Sequence, residues 1–158
     1  MTLTVTWICV VVGVKVVWIS AGVSSFIAGY IVRDTVDKWI YIDVADQHSD
    51  SIRFIRDCEK LIGTEIEFLK SEKYQDVADV IRKTWMINSP YGAACTGMLK
   101  KAVRKKWENE HLGEPLTYVW GMDAKEKNRA DRIIQNFSEF EHEFPLPQLF
   151  KHEFLNTS

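Results

Sequence analysis

The chain has 158 residues, of which 46% are hydrophobic and 27% are charged. This length fits one domain with a sizeable core, and the composition is that of a folded globular protein rather than a disordered one. The 20 basic and 22 acidic residues give a formal net charge of −2. Overall charge therefore gives no argument for a nucleic acid partner, and any anion site must be local.

Three cysteines, Cys9, Cys58 and Cys95, form no Cys-x-x-Cys pair. This spacing argues against a zinc ribbon, an iron–sulfur cluster or a disulfide framework. We therefore expect no metal site and a reducing, cytoplasmic compartment.

The N-terminal segment, residues 3–19, is almost wholly apolar. No positive region precedes it, Lys15 interrupts it, and residues 3–14 are fewer than the roughly 20 that a membrane span needs. We therefore expect neither a signal peptide nor a membrane partner. Its Val, Thr and Ile content favours an extended segment before Gly13 and a buried strand after it.

Residues 15–32 begin as an apolar strand, break into a turn of small residues and continue as a helix. Such a turn leaves backbone N–H groups free at a helix N-terminus, where the helix dipole favours negative charge. The turn matches neither the Walker loop nor the dinucleotide glycine motif. The candidate phosphate-binding residues are Ser20, Ala21, Gly22, Ser24 and Ser25. The alternative is a plain strand-to-helix turn in which Ser24 or Ser25 caps the helix.

The rest of the chain alternates apolar runs with segments of helical periodicity. The patterns predict helices over 24–34, 50–62, 74–85, 95–111 and 124–137, and strands over 38–44, 65–69 and 116–120. Gly63 is placed to end the second helix, and residues 88–94 are predicted to be a loop because they contain Pro and Gly. The alternation predicts an α/β fold, Rossmann-like (HUP-type), with a mainly parallel sheet flanked by helices in three layers.

We assign residues 1–147 to one domain and 148–158 to a C-terminal tail, with the chain from 141 onward partly extended and partly frayed. Four polar features follow predicted strands, namely the turn at 20–25, Asp43, the segment after Leu69 and the turn at Gly121. Ligands of doubly wound sheets bind beyond the carboxyl ends of the strands. We therefore expect the binding site at that edge.

Five motifs follow one another along residues 15–147. They are WISAGVSS (18–25), YIDVADQHSD (41–50), RFIRDCE (53–59), CTGMLKK (95–101) and WGMDAKEKNRA (120–130). In this order they resemble the phosphoadenosine phosphosulfate (PAPS) reductase family of the adenine nucleotide alpha hydrolase, or PP-loop, superfamily. The likeness is strongest to members found in bacteriophages, for which the expected location is the host cytoplasm.

The resemblance implies an adenine nucleotide ligand, whether ATP, AMP or PAPS, with or without Mg²⁺, and a reaction at an adenylyl or sulfonucleotide phosphate bond. The residues that it assigns to the phosphates and the turn beside them are Ser20, Gly22, Ser24, Ser25, Lys100, Gly121 and Arg129, and Asp43 is expected near the adenosine. From the residues themselves, His48 is a further candidate for ligand contact. Cys95 begins a predicted helix, where a thiolate is favoured, and is a candidate reactive cysteine.

Most of these residues have an alternative role. Asp43 would cap the next helix or a turn, and His48 would be a surface loop residue. Arg129 would pair with an acid of its own helix, and the basic run 100–106 would be a solvated helix face. Cys58 lies among apolar residues and is expected in the core.

Two differences from the family favour binding over catalysis. Ser24 stands where the superfamily loop carries Asp, and a hydroxyl coordinates Mg²⁺ weakly. No cysteine follows Cys95, whereas family reductases carry a nucleophilic cysteine in a C-terminal Glu-Cys-Gly-Leu-His segment. The alternatives are therefore a nucleotide sensor or sequestering protein, or a subunit of a nucleic-acid modification or sulfur-transfer complex. Six tryptophans and the apolar N-terminal segment would supply a surface for a homo-oligomer or a partner protein.

Overall fold

The computed structural model describes residues 13–89 and 92–147. The strands in this part of the chain are β1 (Val14–Ile19), β2 (Lys38–Asp43), β3 (Glu67–Lys70), β4 (Asn88–Ser89), β5 (Gly92–Ala93), β6 (Leu116–Val119) and β7 (Glu141–Glu143). Five of them form a parallel sheet in the order β3-β2-β1-β6-β7, and β4 pairs with β5 in a small antiparallel hairpin.

The helices are α1 (Val23–Ile31), α2 (Asp50–Ile62), α3 (Val77–Thr84), α4 (Ala94–Thr96), α5 (Ala102–Glu110) and α6 (Lys127–Asn136). A π-helical segment, Gly97–Lys101, joins α4 to α5 without a break. Short 3₁₀ turns lie at Arg33–Thr35 and Ala124–Glu126. No helix within the described ranges is both long and apolar enough to span a membrane.

The sheet lies between two layers of helices, which confirms the predicted three-layer α/β fold. The strands alternate their side chains between the faces. One face packs Val17 and Tyr41 against Phe26 of α1 and Ile55 of α2. The opposite face packs Val16, Ile40 and Tyr118 against Trp107 of α5.

Most predicted elements are confirmed within three residues at each end. The helix over 50–62 has the predicted bounds. Gly63 ends it in the left-handed conformation with φ 67°, and its N–H donates to the Glu59 carbonyl at 2.9 Å. Asp76 caps α3 by accepting from the Asp79 N–H at 2.6 Å, so that the helix begins at Val77, three residues after the predicted start.

Several predicted boundaries and one element differ from the structure. The loop predicted at 88–94 contains the β4–β5 hairpin, and the helix predicted at 124–137 begins as a 3₁₀ turn. Residues 141–143 form a fifth parallel strand that pairs with β6. The sequence did not predict this strand because Glu-His-Glu has no apolar alternation and its stabilisation comes from the sheet ladder. The predicted segment before Gly13 and the tail at 148–158 lie outside the described residues.

The strand order defines where a ligand would bind. Leaving β1, the chain first builds the sheet towards β2 and β3, and later places β6 and β7 on the other side of β1. The switch point therefore lies between β1 and β6, where the loops at the carboxyl ends diverge and leave a crevice.

Trp85 follows α3 with φ 56° and its side chain is 90% exposed. A left-handed conformation costs an L-residue roughly 1 kcal/mol that glycine avoids. Because the exposed indole has little packing to lose, we expect Trp85→Gly to raise the free energy of unfolding by about 0.5–1 kcal/mol in urea denaturation.

Arg82→Gly is the matched control, since it places glycine at an exposed position inside the last turn of the same helix. It should lower the free energy of unfolding by about 1 kcal/mol. A Trp85→Gly protein of unchanged or lower stability would mean that the indole makes a stabilising contact.

Candidate functional site

The loop after β1 leads directly into α1 and leaves the first turn of that helix uncapped. Gly22 is the N-cap residue, in an extended conformation with φ −129° and ψ 144°, and no side chain caps the helix. The alternative in which Ser24 or Ser25 caps it is therefore wrong. The N–H groups of Val23, Ser24 and Ser25 have no partner within the helix, and no acidic residue lies in its first turn. These N–H groups are hydrogen-bond donors at the positive end of the helix dipole.

Ser25 holds the loop in shape. Its Oγ accepts from the Ser20 N–H at 3.0 Å, and it lies 3.0 Å from the Ser20 carbonyl and 2.9 Å from the Gly22 carbonyl. The Ser20 Oγ is a further partner at 3.0 Å. These contacts close the turn on itself, so the Ser25 hydroxyl is committed to the loop.

The turn after β6 packs against the first turn of α1. A Cβ at Gly121 would lie 2.4 Å from both the N and the Cα of Ser25. Real Cβ contacts are never this short, so the two backbones approach at a distance that only glycine permits. The structure thus places Gly121 beside the predicted phosphate loop, at the switch point.

A cleft of about 340 Å³ opens at this point, and we call it the switch-point cleft. It brings together six of the residues proposed from the sequence, namely Ser20, Gly22, Ser24, Ser25, Gly121 and Arg129. Trp18, Trp120, Met122 and Glu126 complete its walls. The predicted phosphate cradle and the predicted arginine therefore line one cavity.

Arg129 is paired on its own helix, as the alternative role required. Its Nη1 lies 2.7 Å from Glu126 Oε1. Glu126 belongs to a capping box with Asp123 that fixes the 3₁₀ turn before α6. One contact occupies only part of a guanidinium with five N–H donors, and the Arg129 side chain is 63% exposed. Arg129 can therefore face a ligand while Glu126 keeps its place.

Two tryptophans form the wall of the cleft at the strand ends. Val17 pairs with Val119, which makes Trp18 and Trp120 neighbours on the same face of the sheet. The Trp120 indole N–H donates to His142 Nδ1 at 3.1 Å, and His142 Nε2 lies 2.8 Å from a backbone carbonyl at the end of α6. This arrangement requires the neutral tautomer with its proton on Nε2, and it fixes the Trp120 ring.

A second cavity, of about 140 Å³, adjoins the cleft at the ends of β1 and β2. It shares Trp18 and Ser20 with the cleft and is also lined by Tyr41, Gln47 and Lys100. Lys100 comes from the π-helical segment and is exposed. The structure therefore brings this predicted lysine to the same edge as the phosphate loop.

A third cavity, of about 250 Å³, lies beyond β2 and shares Tyr41 and Gln47 with the second. Asp43 and His48 line it. Asp43 does not cap α2. His48 Nδ1 instead accepts from the N–H of Asp50, the first residue of that helix, at 3.1 Å. Each cavity thus shares lining residues with the next one along the sheet edge, and we call the three together the edge trough.

Tyr41 lies at the junction of the second and third cavities. Its hydroxyl donates to the Gln47 side-chain oxygen. Burial raises the pKa of the Tyr41 phenol, and the negative charge of Asp43 raises it further. Tyr41 is therefore a protonated donor at neutral pH and a fixed part of the trough wall.

The trough is also lined by residues that the sequence did not indicate as site residues, among them Trp18, Tyr41, Gln47, Trp120 and Glu126. A signal existed for Trp18, Tyr41 and Trp120, because each lies at or near the carboxyl end of a predicted strand. Nothing in the pattern distinguished Gln47 or Glu126 from ordinary loop and helix residues.

Two predicted residues are not brought into the trough. Ala21 is exposed in the loop and lines none of the three cavities. Cys95 is half-buried and packs in a separate apolar cluster with Val44, Tyr74 and Leu99. Cys95 lines none of the three cavities, whereas Lys100 and Arg129, the other two residues proposed to act in catalysis, do.

Two further predictions concern the core and the basic helix. Cys58 is buried as expected, and burial, followed by the charge of Asp57, raises its pKa to about 11.

The basic run is not uniformly solvated, since the Arg104 side chain is only 15% exposed. Its guanidinium lies 4.3 Å from the Phe137 ring centre.

No group of three or more His, Cys, Asp and Glu side chains within residues 13–89 and 92–147 is arranged to hold a metal ion.

Comparisons with protein-family models, curated proteins and solved structures found no match to this chain.

Gly121→Ala should disrupt the site through its backbone. The added methyl would overlap Ser25 backbone atoms, which cannot rotate away as a side chain can. We expect a loss of about 1–3 kcal/mol in the free energy of unfolding, measured by urea denaturation.

Gly97→Ala is the matched control, because a Cβ there meets nothing within 4 Å and the residue is helical. It should be neutral or stabilising by up to about 1 kcal/mol. Equal stability of Gly121→Ala and the wild type would contradict the close approach.

Proposed function

We propose that the protein binds an adenine nucleotide along the edge trough, with the phosphates at the N-terminus of α1. The observation that carries the proposal is the series of three cavities that runs from the uncapped helix at the switch point to the end of β2. The motif order that resembles the PAPS reductase family supports adenine as the base.

The phosphate end of the trough supplies donors of the required kind. Ser24 and Ser25 of the uncapped first turn of α1 line the switch-point cleft, together with Arg129. A helix N-terminus binds phosphate through its free N–H groups, and Arg adds paired N–H donors in a planar fork. Lys100 reaches the adjoining cavity as a further cation.

The remaining walls suit a nucleoside. Beyond the phosphates, Trp18 and Tyr41 line the second cavity and offer aromatic surface to a nucleoside, and the Asp43 carboxylate in the third cavity can accept hydrogen bonds from it. The switch-point cleft alone, at about 340 Å³, reaches the usual size of a small-molecule pocket. An extended nucleotide would occupy the cleft and its neighbours.

Catalysis, where it occurs, would be electrostatic. Amides of α1, Lys100 and Arg129 would stabilise negative charge that develops on a phosphate during attack at an adenylyl or sulfonucleotide bond. The donor set fits a phosphate better than a protein-bound Mg²⁺, since the first turn of α1 carries hydroxyls and no carboxylate. Any Mg²⁺ would be held mainly by the nucleotide.

The same observation favours a second candidate, a nucleotide binder without turnover. Ser24 replaces the acid that the resemblance would place in the loop, and phosphate binding does not need that acid. A sensor or sequestering protein would use the trough unchanged.

Calorimetric titration with ATP, AMP and PAPS tests the binding proposal. At least one of the three should bind, and Arg129→Gln should weaken that binding by about threefold to fivefold, because an ion pair of a largely exposed cation contributes at most about 1 kcal/mol. Arg132→Gln on the same helix is the matched control, as Arg132 does not line the cleft. The absence of heat with all three nucleotides would reject the proposal.

Release of pyrophosphate from ATP and Mg²⁺ separates the two candidates once binding is known. Turnover that falls in Lys100→Gln and Arg129→Gln would support the enzyme. Tight binding of ATP with no pyrophosphate above the buffer blank would support the sensor or sequestering protein.

A further inference from the structure

A separate cavity of about 280 Å³ lies beyond the end of β3. The segment 70–74 forms one wall, and the face of the long helix from Met98 to Lys106 forms the other. We call it the β3 cavity. None of its lining residues lines the edge trough, so its contents are independent of the nucleotide proposal.

The floor of the β3 cavity is apolar and rigid. Tyr74 is only 6% exposed and belongs to the packed cluster that also holds Leu99 and Met98. Val103 and Ala102 extend this surface along the helix. The floor is therefore a preformed surface on which an apolar body could rest without rearrangement of the core.

The rim of the cavity is positively charged. It carries the ammonium groups of Lys70, Lys73 and Lys106 against a single carboxylate, Glu72. Lys73 Nζ lies 5.4 Å from the centre of the Tyr74 ring. Among the residues that the structure describes, neither Lys70 nor Lys73 has a carboxylate within ion-pair distance.

Glu72 shows what kind of group the rim holds. Its carboxylate lies 2.5 Å from Lys106 Nζ, although the Glu72 side chain is 79% exposed and that of Lys106 is 56% exposed. An exposed pair of this kind contributes at most about 1 kcal/mol, so a competing anion can replace it at small cost. The Glu72 carboxylate thus stands where the anionic group of a ligand would stand.

We propose that the β3 cavity binds a small organic anion, whose apolar body packs on Tyr74, Met98 and Val103 and whose acidic group takes the place of Glu72 at Lys106. The excess of cations over carboxylates at the rim selects the charge of the ligand. The concave apolar floor selects an organic anion over an inorganic one.

The probe is 1-anilinonaphthalene-8-sulfonate, an apolar anion whose fluorescence rises in apolar surroundings, titrated into the full-length folded protein. Glu72→Gln removes the internal competitor and should tighten binding by about threefold or more. Lys106→Gln removes the ion-pair partner and should weaken binding by about threefold to fivefold, the effect of an exposed ion pair. Lys101→Gln, on the same helix and outside the cavity, is the matched control and should leave the affinity unchanged.

The uncharged analogue N-phenyl-1-naphthylamine separates charge recognition from general apolar binding. Its affinity should be the same in the wild type, Glu72→Gln and Lys106→Gln. Excess AMP should leave the sulfonate signal unchanged if the probe occupies the β3 cavity and not the edge trough. Equal sulfonate affinity in all four proteins, or its loss on addition of AMP, would overturn the proposal whether or not AMP itself binds.

Discussion

The structure of the candidate site depends on the close approach of two backbones, at Gly121 and Ser25. A side chain at residue 121 would overlap the Ser25 N and Cα. The approach fixes the turn after β6 against the first turn of α1, and Ser25 closes the preceding loop by bonding to Ser20 and Gly22. These contacts fix the position of the turn after β6 relative to α1, because backbone atoms meet there and cannot rotate away as side chains can.

The opposite wall is held from further along the chain. Trp120 is fixed by His142 of β7, and the Arg104 guanidinium lies 5.8 Å from the Trp120 ring centre. Arg104 pairs with Glu108 at 3.2 Å, and Glu108 also accepts from the Tyr118 hydroxyl at 2.9 Å. This buried network joins α5, β6 and β7 beneath the cleft. A small strand that adds little apolar burial therefore supports the site through polar contacts.

The sequence predicts those parts of the molecule that depend on local pattern. Apolar periodicity located the strands of the sheet except β7, and the left-handed turn at Gly63 follows from residue type alone. The small-residue turn at 20–25 and Gly121 were identified because short turns at strand ends need small residues. The role of Gly121 in contact with Ser25 could not be predicted, since the two residues are 96 positions apart.

The same limit explains the residues that the sequence missed or misplaced. Gln47 enters the trough through its bond to Tyr41, a contact that no spacing rule indicates. Cys95 has the helix-start position of a reactive cysteine, yet tertiary packing places it in an apolar cluster. Arg104 looks like one of several solvated basic residues and is instead covered by Phe137.

The switch-point cleft and the β3 cavity each present one cation that already has a carboxylate partner. Arg129 is paired with Glu126 and Lys106 with Glu72, so an arriving anion would exchange one ion pair for another. The gain from such an exchange at the surface is small, because exposed pairs are weak. Affinity must then come from what each cavity adds beyond its cation. In the switch-point cleft that addition is the set of uncapped α1 amides, which favours phosphate, and in the β3 cavity it is the apolar floor, which favours an organic body. The two sites therefore select different anions with similar cations, in a chain whose net charge gives no general attraction for either.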